Sequence, residues 1–166
     1  MIPQPVSLTG FLADAAGHGS AVGLATTAHD PTLRLPAGFR SVRIEGPRLT
    51  TRDDLFSTFA QEWDFPGYFG HNADAFDDCM RDLDRPAGTT GLLTVITDAQ
   101  DVLTSSARAF TWFAESMVFY RDHYRDVADP PAAFALLLIT SPAARRATAA
   151  RWADAGVAVA AVDLRA

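Results

Sequence analysis

The chain has 166 residues, of which 48% are hydrophobic and 20% charged, as expected for one folded domain with a sizeable core. The net charge of −6 and the isoelectric point near 5.0 argue against nucleic-acid binding, which needs a basic surface, and favour a basic partner. A single cysteine excludes an internal disulfide, and we find neither a signal peptide nor a run of transmembrane length, so we expect a cytoplasmic protein without membrane contact.

The first 37 residues carry the weakest pattern. Within them, residues 7–16 are predicted to form a short helix and residues 21–28 a strand. Residues 35–39, which contain proline and glycine, are predicted to be a linker into the main part of the chain. We therefore expect residues 1–37 to form an N-terminal extension whose structure the sequence does not define.

Three short apolar runs predict buried parallel strands, at residues 41–45, 91–97 and 134–140. The second and third are almost continuously apolar, which is typical of strands covered on both faces. A fourth run, residues 157–164, predicts a further strand at an edge of the sheet.

Helical patterns separate these strands. Thr51, followed three residues later by Asp54, is a variant of the capping box and predicts a helix that ends before Pro66. Two further helices are predicted at residues 106–127 and 142–156, the latter with Gly156 at its end.

The alternation of strands and helices predicts an α/β fold. We expect a small three- to four-stranded parallel sheet, packed by helices and joined by right-handed crossovers. Residues 38–140 would form its core, and residues 141–166 would add a helix and a strand packed on that core.

The segment FPGYFGHNADAFDDCMRDL, residues 65–83, predicts a helix with two different faces. Asn72 is suited to be the N-cap of a helix over 73–83. One stripe is apolar and faces the core: Phe76, Cys79, Met80 and Leu83. The other side is acidic and accessible to solvent: Asp74, Asp77, Asp78 and Asp82. Carboxylates four residues apart repel each other by about 0.2–0.5 kcal/mol, so local stability does not explain their spacing.

Two interpretations of the acidic side remain open on the residues alone. It is either a solvated helix face or a docking surface for a cationic partner, next to a glycine-flanked bend that carries Tyr68 and Phe69. Asp74 and Asp78 could also hold Mg²⁺ in a metal-dependent phosphoesterase. The four histidines have no ligand spacing, however, and we expect neither a metal site nor a cofactor.

This segment resembles the signature of the barstar family, intracellular inhibitors of secreted bacterial ribonucleases. The shared pattern is an aromatic-Gly bend, an Asn cap, Asp-Ala-apolar and then Asp-Cys. The runs VRIEGPRLTTRDDLFSTFAQEW, LLTVIT and FALLLIT are similar in order to the elements of that family, over about residues 41–140. The resemblance implies a small parallel sheet packed by helices, no catalysis, and inhibition by plugging a ribonuclease active site.

The resemblance also implies a set of contact residues: Tyr68, Gly70, Asn72, Asp74 and Asp78. Asp78 would be the central anion, which imitates a substrate phosphate and accepts charge-assisted hydrogen bonds from basic groups of the enzyme. Asp77, where family members often have an aromatic residue, is counted with the site and bears on the choice of target.

The implied function is an inhibitor or immunity protein, monomeric when free, whose partner is a basic secreted ribonuclease or related nuclease toxin. Two alternatives stay open: the phosphoesterase, and a barstar-like module that binds a partner other than a ribonuclease.

Overall fold

The computed structural model describes residues 4–165. Within this range the chain folds into one six-stranded, all-parallel sheet with five α-helices. The strands are β1 (Val6–Ser7), β2 (Val22–Thr26), β3 (Phe39–Glu45), β4 (Gly91–Thr97), β5 (Ala133–Thr140) and β6 (Ala160–Asp163). They are ordered β1-β6-β2-β5-β4-β3 across the sheet.

The helices are α1 (Leu8–Ala16), α2 (Arg52–Glu62), α3 (Ala73–Met80), α4 (Ala107–Asp126) and α5 (Arg145–Asp154). Four of them begin at a side chain that accepts a hydrogen bond from the backbone N–H three residues on: Ser7, Thr51, Asn72 and Ser106. Such caps satisfy N–H groups that have no partner inside the helix. The predicted helix starts at Thr51 and Asn72 are therefore confirmed.

The sheet separates two apolar clusters, and the strand β5 contributes side chains to both of them. Phe134, Leu136 and Leu138 join the larger cluster, to which α2, α3, α4 and α5 contribute. The alternate residues Ala135, Leu137 and Ile139 join the smaller cluster around α1. Because successive side chains of a strand point to opposite faces, a strand covered on both sides is apolar at every position.

The predicted α/β fold with a parallel sheet is confirmed, but the sheet has six strands rather than three or four. The predicted strand 91–97 has the expected bounds, and those at 41–45 and 134–140 are slightly longer than expected. Strands were also predicted at residues 21–28 and 157–164, and they are present as the shorter β2 and β6, whereas β1 was not predicted. β6 was predicted at an edge, and it lies instead between β1 and β2, because β1 pairs with its outer side.

Two arginines of α4 fix the end of α1 to the rest of the fold. Arg121, which is buried, donates to the carbonyl oxygen of Gly19, and Arg125 Nη1 donates to that of Gly17 at 2.7 Å. Cations near the C-terminal end of a helix are favourable because the free carbonyl groups there carry partial negative charge. Within residues 4–165, no helix combines the length and the apolarity needed to cross a bilayer.

Candidate functional site

The bend before α3 is anchored by two phenylalanines. The rings of Phe65 and Phe69 pack edge to face, with centroids 5.1 Å apart, and both pack against the larger core cluster. The backbone N–H of Phe69 donates to the carbonyl of Pro66 at 3.0 Å, which closes the turn. Tyr68 lies between the anchors in sequence and points outward, with 87% of its surface exposed. The fold thus presents an aromatic side chain on a fixed turn.

Asn72 joins this bend to the helix. Its Oδ1 accepts from the N–H of Ala75 at 2.8 Å, and its Nδ2 donates to the carbonyl of Gly70 at 3.3 Å. A Cβ at Gly70 would lie 3.2 Å from Asn72 Nδ2, so a larger residue would crowd the contact. Between them, His71 has a φ of 50°, and its ring lies 4.8 Å from that of Phe69. One side chain therefore fixes the bend relative to the first turn of α3.

The inner face of α3 is held by a cluster of aromatic side chains. Phe76 and Met80 are fully buried, as predicted. Five rings lie around Phe76 with centroids 5.4–6.3 Å away: Phe56, Phe59, Phe65, Trp112 and Tyr120. This packing determines which side of α3 faces solvent.

Cys79 was predicted to be buried with this stripe, and it is only half-buried, because it lies at the border between the apolar and acidic faces. Burial, followed by the charges of Asp78 and Asp82, raises the pKa of its thiol. The thiolate is the nucleophilic form of cysteine, so this side chain is poorly suited to covalent chemistry.

The outer face of α3 carries the predicted carboxylates in two environments. Asp74 and Asp78 are exposed, and 75% of the Asp78 side chain is accessible. Asp77 was expected to be equally open, but only 33% of its side chain is accessible. The reason is its position above the buried Tyr120, whose pKa is raised by burial and then by the charge of Asp77.

Arg81 pairs with two of these carboxylates. Its Nη2 donates to Asp78 Oδ1 at 2.9 Å, and its Nε lies 3.3 Å from Asp77 Oδ2. Within residues 4–165, neither Asp74 nor Asp82 takes part in an ion pair. The face therefore keeps an excess of negative charge, with one internal counter-ion next to Asp78.

Tyr124 of α4 explains why α3 ends at Met80, three residues earlier than predicted. The Tyr124 hydroxyl donates to the carbonyl of Met80 at 2.6 Å and accepts from the N–H of Leu83 at 3.0 Å. The hydroxyl thus takes the place of the backbone groups to which the Met80 carbonyl and the Leu83 N–H would be hydrogen-bonded if the helix continued. Burial raises the pKa of Tyr124 to about 12, so the hydroxyl keeps its proton at neutral pH.

We predict that Tyr124→Phe lowers the free energy of unfolding by about 1–3 kcal/mol, because it leaves two backbone groups without partners in a buried environment. Urea unfolding of the variant would measure this change. Tyr68→Phe removes the same hydroxyl from an exposed ring and is the matched control, with no expected change. Equal stability of Tyr124→Phe and the parent would mean that water replaces the lost hydrogen bonds.

No group of three His, Cys, Asp or Glu side chains is arranged to hold a metal ion in the part of the chain that the structure describes. Asp74 and Asp78, which could have shared Mg²⁺, therefore have no third ligand of these types. The arrangement is an exposed acidic face between an aromatic bend and α4, and its chemistry is that of charge-assisted hydrogen bonding to cations.

Sequence reasoning did not include α4 in this surface. Phe119 is 51% exposed, and its ring centroid lies 5.9 Å from the guanidinium carbon of Arg81. The sequence could have indicated this exposure, because Phe119 stands directly before Tyr120 and so falls outside the helical spacing of the α4 residues that face the core.

Comparison with known proteins gives one family match. The family model described as Barstar (barnase inhibitor) matches residues 39–139, which contain β3, α2, the bend, α3, β4, α4 and most of β5. Curated protein sequences contain no match to the chain. Among solved structures, the Aeropyrum pernix ORC2 protein (ADPNP-ADP complexes) is similar, with 12% identity and a TM-score of 0.54. The match covers 93% of this chain and 44% of that one, and at this identity it shows the α/β fold alone.

Proposed function

Because this chain belongs to the barstar family, we propose that it binds and inhibits a barnase-like ribonuclease. The binding surface in this proposal comprises six residues of the bend and of α3: Tyr68, Gly70, Asn72, Asp74, Asp77 and Asp78. Inhibitors of this family are not enzymes, and the chain would act by occupying the active site of its partner.

The proposal rests mainly on the exposure of the Asp78 carboxylate on a helix whose inner face is held by the aromatic cluster around Phe76. Arg81 occupies Oδ1 of this carboxylate, and 75% of the side chain remains accessible to a partner. A ribonuclease must bind phosphate, so its active site offers cationic donors. Carboxylate oxygens match such donors, above all the planar guanidinium group of arginine.

The remaining residues have supporting roles in this model. Tyr68 supplies an exposed ring on a fixed turn, the type of side chain that dominates binding energy in protein interfaces. Gly70 and Asn72 set the path of the bend. Asp74 adds charge in the first turn of α3, where negative charge is also favourable for the helix. Asp77 holds Arg81 in place.

The charge of the whole chain fits such a partner. A protein with a net charge of −6 attracts a basic nuclease over a distance, which speeds association at low salt. We further propose that the chain acts in the cytoplasm as an immunity protein, and that one copy binds one nuclease molecule.

Inhibition of barnase is the direct test. RNA hydrolysis by barnase is measured while the chain is added, and we expect activity to disappear at one molar equivalent, with association slowing as salt is raised. Full nuclease activity in the presence of excess chain, with no complex on gel filtration, would rule the proposal out. A melting temperature that rises on addition of Mg²⁺ would instead support the phosphoesterase.

A further inference from the structure

Two exposed aromatic side chains lie at opposite ends of α3. Within residues 4–165, the large hydrophobic side chains that are exposed are Tyr68, Phe119 and Val127, at 87%, 51% and 69%. Tyr68 precedes the first turn of α3, whereas Phe119 contacts Arg81, the residue that caps its last turn. Single exposed apolar residues are ordinary, but two that border the same charged helix require an explanation.

Packing between α3 and α4 fixes the position of Phe119. Trp112 and Tyr120 of α4 both pack against Phe76, with ring centroids 5.5 Å and 6.3 Å away. Phe119 belongs to the same helix, and its ring packs edge to face on the ring of Tyr120, with the two centroids 6.0 Å apart. Its other side is open to solvent. The ring is therefore held at the junction of the two helices rather than placed on a mobile segment.

Arg81 connects this ring to the carboxylates. Its guanidinium lies 5.9 Å from the Phe119 ring and also pairs with Asp77 and Asp78. Any protein that covers Asp78 closely enough to exclude water also comes near Arg81 and Phe119. Exclusion of water strengthens the charge interactions at the centre of an interface, and apolar side chains around that centre provide it.

Given the proposed function, we infer that the nuclease-binding surface continues from α3 across Arg81 to Phe119 of α4. The partner ribonuclease then offers an apolar patch beside its cationic active site, and this patch covers the Phe119 ring. Tyr68 and Phe119 become two aromatic contacts on either side of a central anion, Asp78. Charge complementarity selects the class of partner, and the second aromatic contact selects among basic nucleases.

Phe119→Ala tests this inference, with Val127→Ala as the matched control. Val127 is an exposed apolar residue two turns further along, at the end of α4. With barnase as the probe, we expect Phe119→Ala to dissociate about tenfold faster than the parent, and Val127→Ala to dissociate at the parental rate. The melting temperature of Val127→Ala should match that of the parent, and that of Phe119→Ala should fall only slightly, because about half of Phe119 is exposed and its ring loses the contact with Tyr120.

Hydroxyl-radical footprinting of the parent gives a second measurement that needs no variant. Oxidation of Tyr68 and Phe119 should fall when barnase is bound, while Val127 should stay reactive. If the parent inhibits barnase but Phe119 stays reactive and Phe119→Ala dissociates at the parental rate, this inference is wrong and the proposed function stands. If the parent does not bind barnase, the proposed function and this inference fail together.

Discussion

Replacement of Asp78 by alanine is expected to weaken the complex with a barnase-like ribonuclease by about 2–5 kcal/mol or more, mainly through faster dissociation. This is the range found when one member of a buried charge pair is removed from a protein interface, and the barnase–barstar complex belongs to that set. In the free chain, the Asp78 side chain is 75% exposed. Binding would bury it against cations of the nuclease, which would lose their partner in the variant.

The same substitution should leave folding nearly unaffected. Asp78→Ala removes repulsion with Asp74, four residues earlier on α3, and also removes the ion pair with Arg81. Each of these interactions is worth about 0.2–0.5 kcal/mol on an exposed helix, and their signs are opposite. The free energy of unfolding should therefore change by less than about 0.5 kcal/mol.

Asp82→Ala is the control for the position of the charge. Asp82 lies just beyond the end of α3 and is exposed, so its removal should mainly slow association and reduce its salt dependence. Surface plasmon resonance at low and high salt measures both rates for the two variants. The proposed role of Asp78 is contradicted if Asp78→Ala unfolds more easily and still binds the nuclease with parental affinity.

Local features of the fold could be predicted because neighbouring residues determine them. The apolar run 91–97 is a strand with the expected bounds, and Thr51 and Asn72 cap helices as expected. The spacing of residues in α3 also predicts correctly that Phe76 and Met80 are buried and that Asp74 and Asp78 are exposed. These features depend on contacts within a few positions along the chain.

Features that depend on distant contacts were missed. A strand was predicted at residues 21–28, but the position of β2 between β5 and β6 depends on residues more than a hundred positions away. The strand β1 has two residues, too few to produce a pattern. At the site, the end of α3 depends on Tyr124, and the junction with Phe119 depends on helix packing. The spacing of residues along the sequence reveals neither of these contacts.

The second large effect concerns the support of the acidic face. We predict that Phe76→Ala lowers the free energy of unfolding by about 3–5 kcal/mol, because it removes a fully buried ring and leaves a cavity. The loss should be near the upper end of that range, since the rings of Phe56, Phe59 and Trp112 all lie within 5.5 Å of this one. Chemical unfolding of the variant and the parent measures the difference.

Phe76→Ala should lower stability and binding together, whereas Asp78→Ala should weaken binding and leave stability nearly unchanged. With eight residues, α3 is too short to be stable without tertiary contacts, so its orientation depends on the ring that anchors it. We expect nuclease inhibition by Phe76→Ala to fall in parallel with the folded fraction as temperature rises, although every residue of the acidic face is retained. Phe76→Leu keeps an apolar side chain at this position and should recover part of both properties. A variant that unfolds at the parental midpoint would show instead that the bend and Tyr124 hold α3 without the aromatic cluster.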